Sequence, residues 1–179
     1  MFTRRQITVA LAMLAPATAV AAPSSDPQMD RAASAALRKL LAESSPARNL
    51  NQKAVAVLVF PRIVKAGFLL GGAYGEGALL QGGRTTGYYH SSAVSYGLQA
   101  GAQWFGYALF FMNAGALSYL NRSEGFELGS GPSVVVADSG FARRFSSSTL
   151  TEDIYAFIFG QNGLMAGVGI EGSKITRAG

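Results

Sequence analysis

Few side chains in this sequence could do chemistry, and each has a plain structural alternative. His90 is the only histidine, so a serine hydrolase would have to use it. Ser95, in Ala93-Val94-Ser95-Tyr96-Gly97, faintly resembles a nucleophile elbow. An elbow needs a strand-to-helix turn, with its base later in the chain. His90 lies upstream instead, beside Tyr88, Tyr89 and Ser91, where a strand-borne polar residue is the simpler reading. Gly71-Gly72-Ala73-Tyr74-Gly75-Glu76-Gly77 invites comparison with a phosphate loop. Such a loop opens a helix, or closes with Lys-Ser or Lys-Thr, whereas a further β-like segment follows here. The carboxylates Glu76, Glu124, Glu127, Asp138, Glu152, Asp153 and Glu171 are dispersed. The adjacent pair Glu152-Asp153 would point to opposite sides of a strand. One histidine and no cysteine leave little for a transition metal. No catalytic residue, metal site or cofactor is expected.

The basic residues make a better case. Arg48, Lys53, Arg62 and Lys65 flank the apolar run Val55 to Phe60, and Arg38 and Lys39 precede it. If they converge, each contributes about 1 kcal/mol near an anionic lipid surface. Phe60, Phe68, Tyr74, Tyr88 and Tyr89 are aromatic side chains of the kind that suit a membrane interface. The competing reading is that these charges are scattered and only solvate the surface. The candidate lipid-binding residues are Arg38, Lys39, Arg62, Lys65, Phe68 and Tyr74.

The elements that must position them begin with a helix over Gln28 to Ser44. Met29, Ala33, Ala36, Leu37, Leu40 and Leu41 recur at steps of three and four and share one face. Asp26 or Asp30 favours its start, and Ser44-Ser45-Pro46 ends it. That face either docks on the domain or lies on a membrane surface. Ala47 to Lys53 reads as a polar connection with room for one helical turn. Val55 to Phe60, apolar throughout and bounded by Pro61, predicts a strand buried on both faces. Further strands are predicted over Lys65 to Tyr74, Gly77 to Leu80, Gly87 to Ser95 and Gly97 to Met112. Gln81-Gly82-Gly83-Arg84 reads as a hairpin turn. Asn113 to Arg122 predicts a short helix capped by Asn113 and stopped at Gly125. Phe126 to Ala137, Ile154 to Phe159 and Leu164 to Ile170 return to strand. Asp138-Ser139-Gly140 and Gln161-Asn162-Gly163 mark turns. Glycine recurs on alternate positions, as in Gly67, Gly71 and Gly75, which suits a strongly curled sheet or a close second layer. The expected fold is α+β: a strongly curved antiparallel, barrel-like sheet of glycine-rich strands, with an N-terminal helix and a short mid-chain helix.

Residues 1–21 read as a secretory signal. Arg4-Arg5 precede an uncharged stretch, and Ala19-Val20-Ala21 supplies a small-residue exit. The paired arginines suggest twin-arginine export; an uncleaved anchor is the alternative. Residues 22–27 form a linker, and the domain follows over 28–179. Cleavage after Ala21 would remove two of 15 basic and none of 10 acidic residues, leaving a net +3 on 158 residues. That mild basicity fits anionic surfaces better than nucleic acid. With no cysteine the fold rests on its core, without disulfides.

Several motifs in order carry a likeness to the SYLF domain family. Val57-Leu58-Val59-Phe60-Pro61, Lys65-Ala66-Gly67-Phe68 and Gly71-Gly72-x-x-Gly75-x-Gly77 resemble its opening signature. Tyr88-Tyr89, Ser95-x-Gly97-x-Gln99-x-Gly101-x-Gln103, Gly163-Leu164-Met165-Ala166-Gly167 and Gly172-Ser173-Lys174 continue it, so the likeness runs from about Ala32 to Ile175. The resemblance implies a non-enzymatic lipid-binding module, exported in bacterial members and tied to phosphoinositide membranes and actin in eukaryotic ones. Their N-terminal basic amphipathic segment corresponds here to Arg31 to Leu41. The expected function is thus engagement of anionic phospholipid or acyl chains, in the periplasm or outside the cell, through a basic patch plus an apolar helix and aromatic surface. The expected partner is a phospholipid or membrane surface and not nucleic acid, with weak self-association left open. The alternative is a structural envelope or stress protein whose basic patch contacts a protein or another polyanion.

Overall fold

The computed structural model describes residues 25–122, 125–128, 131–137, 151–163 and 173–179; at 68–70, 95–100, 137 and 163 it describes the backbone alone. The expected signal segment 1–21, the turn at 138–140 and the strand at 164–170 lie outside the described residues.

Helix α1 (Pro27–Glu43) starts where the sequence predicts. The Asp26 carboxylate accepts from the Gln28 and Met29 N–H groups, and Pro27 opens the first turn. Helix α2 (Ser45–Asn51) turns back at once, capped by Ser44 and buried through Ala47 and Leu50. The Arg48 guanidinium donates to the Leu41 and Ala42 carbonyls at 2.6 and 3.1 Å, which satisfies the orphan acceptors at the end of α1.

Two very long strands then dominate the molecule: β1 (Ala56–Gln81) and β2 (Arg84–Phe111), an antiparallel hairpin that turns at Gly82 and Gly83. The four separate strands expected beyond Pro61, together with the run before it, are segments of these two. Pro61 does not end a strand; it sits at a register shift between Phe60 and Ile63. Among the described residues β1 pairs only with β2, and a strand with a free edge tolerates a residue that lacks an N–H. The hairpin curls until its ends meet. A Cβ on Gly77 would fall 2.5 Å from the Val59 carbonyl and 2.7 Å from the Phe60 ring, and one on Gly75 would collide with Ile63. Glycine therefore provides close approach at these two positions.

Helix α3 (Ala114–Leu120) follows, its first turn held by a 2.7 Å bond from the Ala116 N–H to the Asn113 side chain. The expected strand over Phe126 to Ala137 is two: β3 (Phe126–Glu127) and β4 (Val134–Ala137). Strand β5 (Ile154–Gly163) runs through the expected turn at 161–163, where Asn162 pairs with Trp104 and Gly163 with Gln103. Its irregularity lies earlier, at Gly160, with φ +60. Strand β6 (Lys174–Arg177) completes the order β3-β6-β2-β5-β4. Among the described residues every pairing is antiparallel except β4 on β5, which is parallel and departs from the antiparallel expectation. The result is an α+β fold built on a curled, mostly antiparallel half-barrel.

Alternation along the hairpin separates two cores. Ala56, Leu58, Phe60, Ile63, Phe105, Tyr107 and Leu109 point inside the curl, where Ala116 and Leu120 of α3 close it. Val57, Val59, Ala108, Phe110, Tyr155 and Phe157 point outward and are covered by Ala33, Leu40, Ala47 and Leu50. The run before Pro61 is thus buried on both faces, as its composition predicts. The leucine face of α1 is spent on the sheet, so of the two readings of that helix the docked one holds. It is not the exposed apolar helix that the expected lipid surface included.

Candidate functional site

Three local irregularities coincide on the outer face of the sheet. Register shifts occur between Phe60 and Ile63 on β1 and between Trp104 and Gly106 on β2, and Gly160 takes a positive φ on β5. Bulges re-aim side chains, and here they open a groove of about 370 Å³ beside the C-terminal half of α1. Ala36 and Lys39 line it from the helix, Pro61 and Arg62 from β1, and Trp104 and Phe159 from β2 and β5. Gly106 leaves room for the Phe159 ring, which a Cβ there would strike. The Arg62 guanidinium lies 5.4 Å from the centre of the Trp104 ring, within cation–π range. Trp104 remains 40% exposed and the neighbouring Val64 44%, and these two pair directly across the strands. A cation held against an aromatic face, with a second cation opposite and apolar walls between, can take an anionic head on a greasy stem.

Of the expected residues, Lys39 and Arg62 meet at this groove. Arg38 is exposed on α1 but does not line it. Lys65 follows Arg62 by three strand positions and so faces the other side of the sheet, opposite the buried Gln103. Phe68 pairs through its backbone with Ala100, and its side chain lies outside the described residues. Tyr74 is 51% exposed and belongs to a separate cluster. Its hydroxyl lies 2.9 Å from His90 Nδ1 and 3.2 Å from Glu76 Oε1. Burial comes first among the causes that push its pKa above the ordinary tyrosine value, followed by the bond to Glu76. The groove's main aromatic residues, Trp104 and Phe159, were not among those expected, although Trp104 is the only tryptophan in the chain.

The remaining candidate chemistry is placed as follows. Ser95 lies mid-strand on β2 opposite Gly71, with no strand-to-helix turn. The Gly71–Gly77 stretch is continuous β1, with no helix for a phosphate to face. No described helix is long and apolar enough to cross a membrane.

Residues 92–179 match the family model described as Ysc84, a Las17-binding protein actin regulator. The matched part takes in most of β2, including Trp104, and everything after it, whereas Lys39 and Arg62 precede it. No curated protein matches the chain. Residues 92–179 are thus similar to the Ysc84 (SYLF) domain family, the family the motifs of the chain resemble.

Proposed function

We propose that the protein is a non-enzymatic lipid-binding module that engages anionic phospholipid at the groove beside α1. The observation that carries this is the Arg62–Trp104 pair facing Lys39 across apolar walls. Arg62 and Lys39 hold the head-group phosphate, and Trp104 and Phe159 meet the glycerol and upper acyl region, where aromatic rings favour the interface. Two cations at about 1 kcal/mol each give roughly a 30-fold preference for anionic over neutral membranes, reversible by salt. The net positive charge of the chain and the lipid-binding character implied by the SYLF likeness support the same reading. The paired arginines and small-residue exit of residues 1–21 support a reading of twin-arginine export, to the periplasm or outside the cell, with the protein peripheral on a membrane.

Flotation with phosphatidylglycerol-containing vesicles against pure phosphatidylcholine vesicles at low salt tests the proposal. The protein is expected to rise with the anionic vesicles, and Arg62→Glu with Lys39→Glu to abolish this while leaving the fold intact. Failure to float at low salt sinks the lipid reading and turns the groove toward a protein partner, the role that the family description names for its own members.

A further inference from the structure

We propose that a second pocket, at the N-terminal end of α1, binds a small organic ammonium group. The pocket encloses about 170 Å³ between that helix end and the β1–β2 hairpin, and Asp26, Met29, Glu76, Tyr88 and His90 line it. The hairpin register sets Glu76 opposite His90 and Ala78 opposite Tyr88, so two rings and a carboxylate rise from one patch of sheet. Hydrogen bonds hold the rings in place. The Tyr88 hydroxyl donates to Asp30 Oδ1 at 2.8 Å and accepts the Asp26 N–H at 2.8 Å. Tyr74 stacks beside His90, with centroids 5.9 Å apart and planes at 22°. Its hydroxyl sits within hydrogen-bonding distance of both His90 Nδ1 and Glu76 Oε1, which ties the three side chains together.

The chemistry selects a cation. Among the described residues no lysine or arginine lines the pocket. Asp26 and Glu76 line it with negative charge, and among the described residues no hydrogen bond engages Asp26 Oδ2 or Glu76 Oε2. Those two oxygens, the Tyr88 ring and the face of His90 turned away from Tyr74 remain for a ligand. Aromatic faces beside carboxylates recognise ammonium groups through cation–π attraction. A metal ion fits poorly, since no described group of three or more His, Asp or Glu converges. The volume is small for a drug-sized ligand and suits a head group of a few heavy atoms. Asp26 and Lys39 lie 13 residues apart along α1, about 20 Å at 1.5 Å per residue. One head group cannot reach both sites, so the pocket stands or falls independently of the basic groove.

The test is titration of the full chain with choline and with ethanolamine, followed by the ring resonances of Tyr88 and His90. The uncharged choline isostere 3,3-dimethylbutan-1-ol serves as control. Saturable shifts are expected for the amines, with the isostere weaker by about tenfold. Glu76→Gln should weaken choline several-fold without changing the far-UV spectrum, and Arg62→Glu should leave it unaffected. Competition by free choline against phosphatidylcholine vesicles would identify a lipid head group as the source. Saturable binding of free amine without vesicle competition would identify a soluble amine. Absence of saturation, equal binding of the isostere, or indifference to Glu76→Gln overturns the proposal.

Discussion

Replacing Trp104 with alanine should weaken binding to anionic vesicles more than any other single truncation on the outer face. A tryptophan presents roughly 150–250 Å², and Trp104 is 40% exposed, so about 60–100 Å² remains to be buried at a membrane. At about 25 cal/mol per Å² this is worth roughly 1.5–2.5 kcal/mol, or a 10- to 70-fold loss in partition coefficient. The loss also frees the Arg62 guanidinium from the ring 5.4 Å away, so the remaining cation is less well placed. The assay is vesicle sedimentation at fixed protein over a series of phosphatidylglycerol contents, with thermal unfolding as a check on folding. Val94→Ala is the control: Val94 is 71% exposed but sits opposite Gly72, away from the groove. If general greasiness drove binding, Val94 would matter as much. A folded Trp104→Ala protein that partitions within twofold of the parent, or a Val94→Ala protein equally impaired, refutes the reasoning.

Gly77→Ala should lower the melting temperature by several degrees. Its methyl group falls 2.5 Å from the Val59 carbonyl and 2.7 Å from the Phe60 ring, and overpacking costs about 1–3 kcal/mol. Gly72→Ala, whose nearest neighbour is the Ala93 carbonyl at 3.8 Å, should change it little, and equal effects would refute the close-approach account of the curl. Burial pushes the Tyr107 hydroxyl well above its ordinary pKa, the 2.6 Å bond to Ser91 opposing this in part. The folded state holds that proton more tightly than the unfolded chain, so stability is intact below about pH 10 and falls as pH climbs beyond it. Tyr107→Phe should move alkaline unfolding to higher pH, at a cost in neutral stability for the bond lost by Ser91; an unchanged alkaline limb in urea titrations counts against this. Asp153 accepts from Asn113 at 2.7 Å and from the Ser133 N–H and hydroxyl at 3.1 and 3.2 Å, tying α3 to the starts of β4 and β5. The Asn113 bond and then the Ser133 N–H lower its pKa, so its contribution is present above about pH 4 and lost as pH falls below that. Asp153→Asn should flatten the acid limb, and a slope equal to the parent's would remove the assignment.

The local parts of this fold were legible in the sequence. Asp26, the three-and-four spacing of Ala33, Ala36, Leu37 and Leu40, and Ser44 define α1 almost to the residue. Gly82-Gly83 gives the hairpin turn and Asn113 the cap of α3. The continuity of β1 and β2 was hidden because glycines and Pro61, which look like breaks, here mark bends and a bulge in an unbroken ladder. The groove was hidden by register. Counting outward from Gln81 opposite Arg84 would set Val64 opposite Gly101, but successive bulges bring Trp104 there, three residues further on. Arg62 therefore meets a tryptophan that no local pattern assigns to it. The split of Arg62 from Lys65 was available from strand alternation alone, once their segment is recognised as one uninterrupted strand. The parallel pairing of β4 with β5 joins residues about twenty apart and leaves no signature in either strand.

The most direct test of the basic, aromatic groove uses the chain's single tryptophan as its own reporter. Trp104 emission should shift to shorter wavelength on adding phosphatidylglycerol vesicles, be quenched by brominated acyl chains, and remain unchanged with phosphatidylcholine. Emission that is indifferent to anionic vesicles while the protein floats with them would place membrane contact elsewhere and contradict the account.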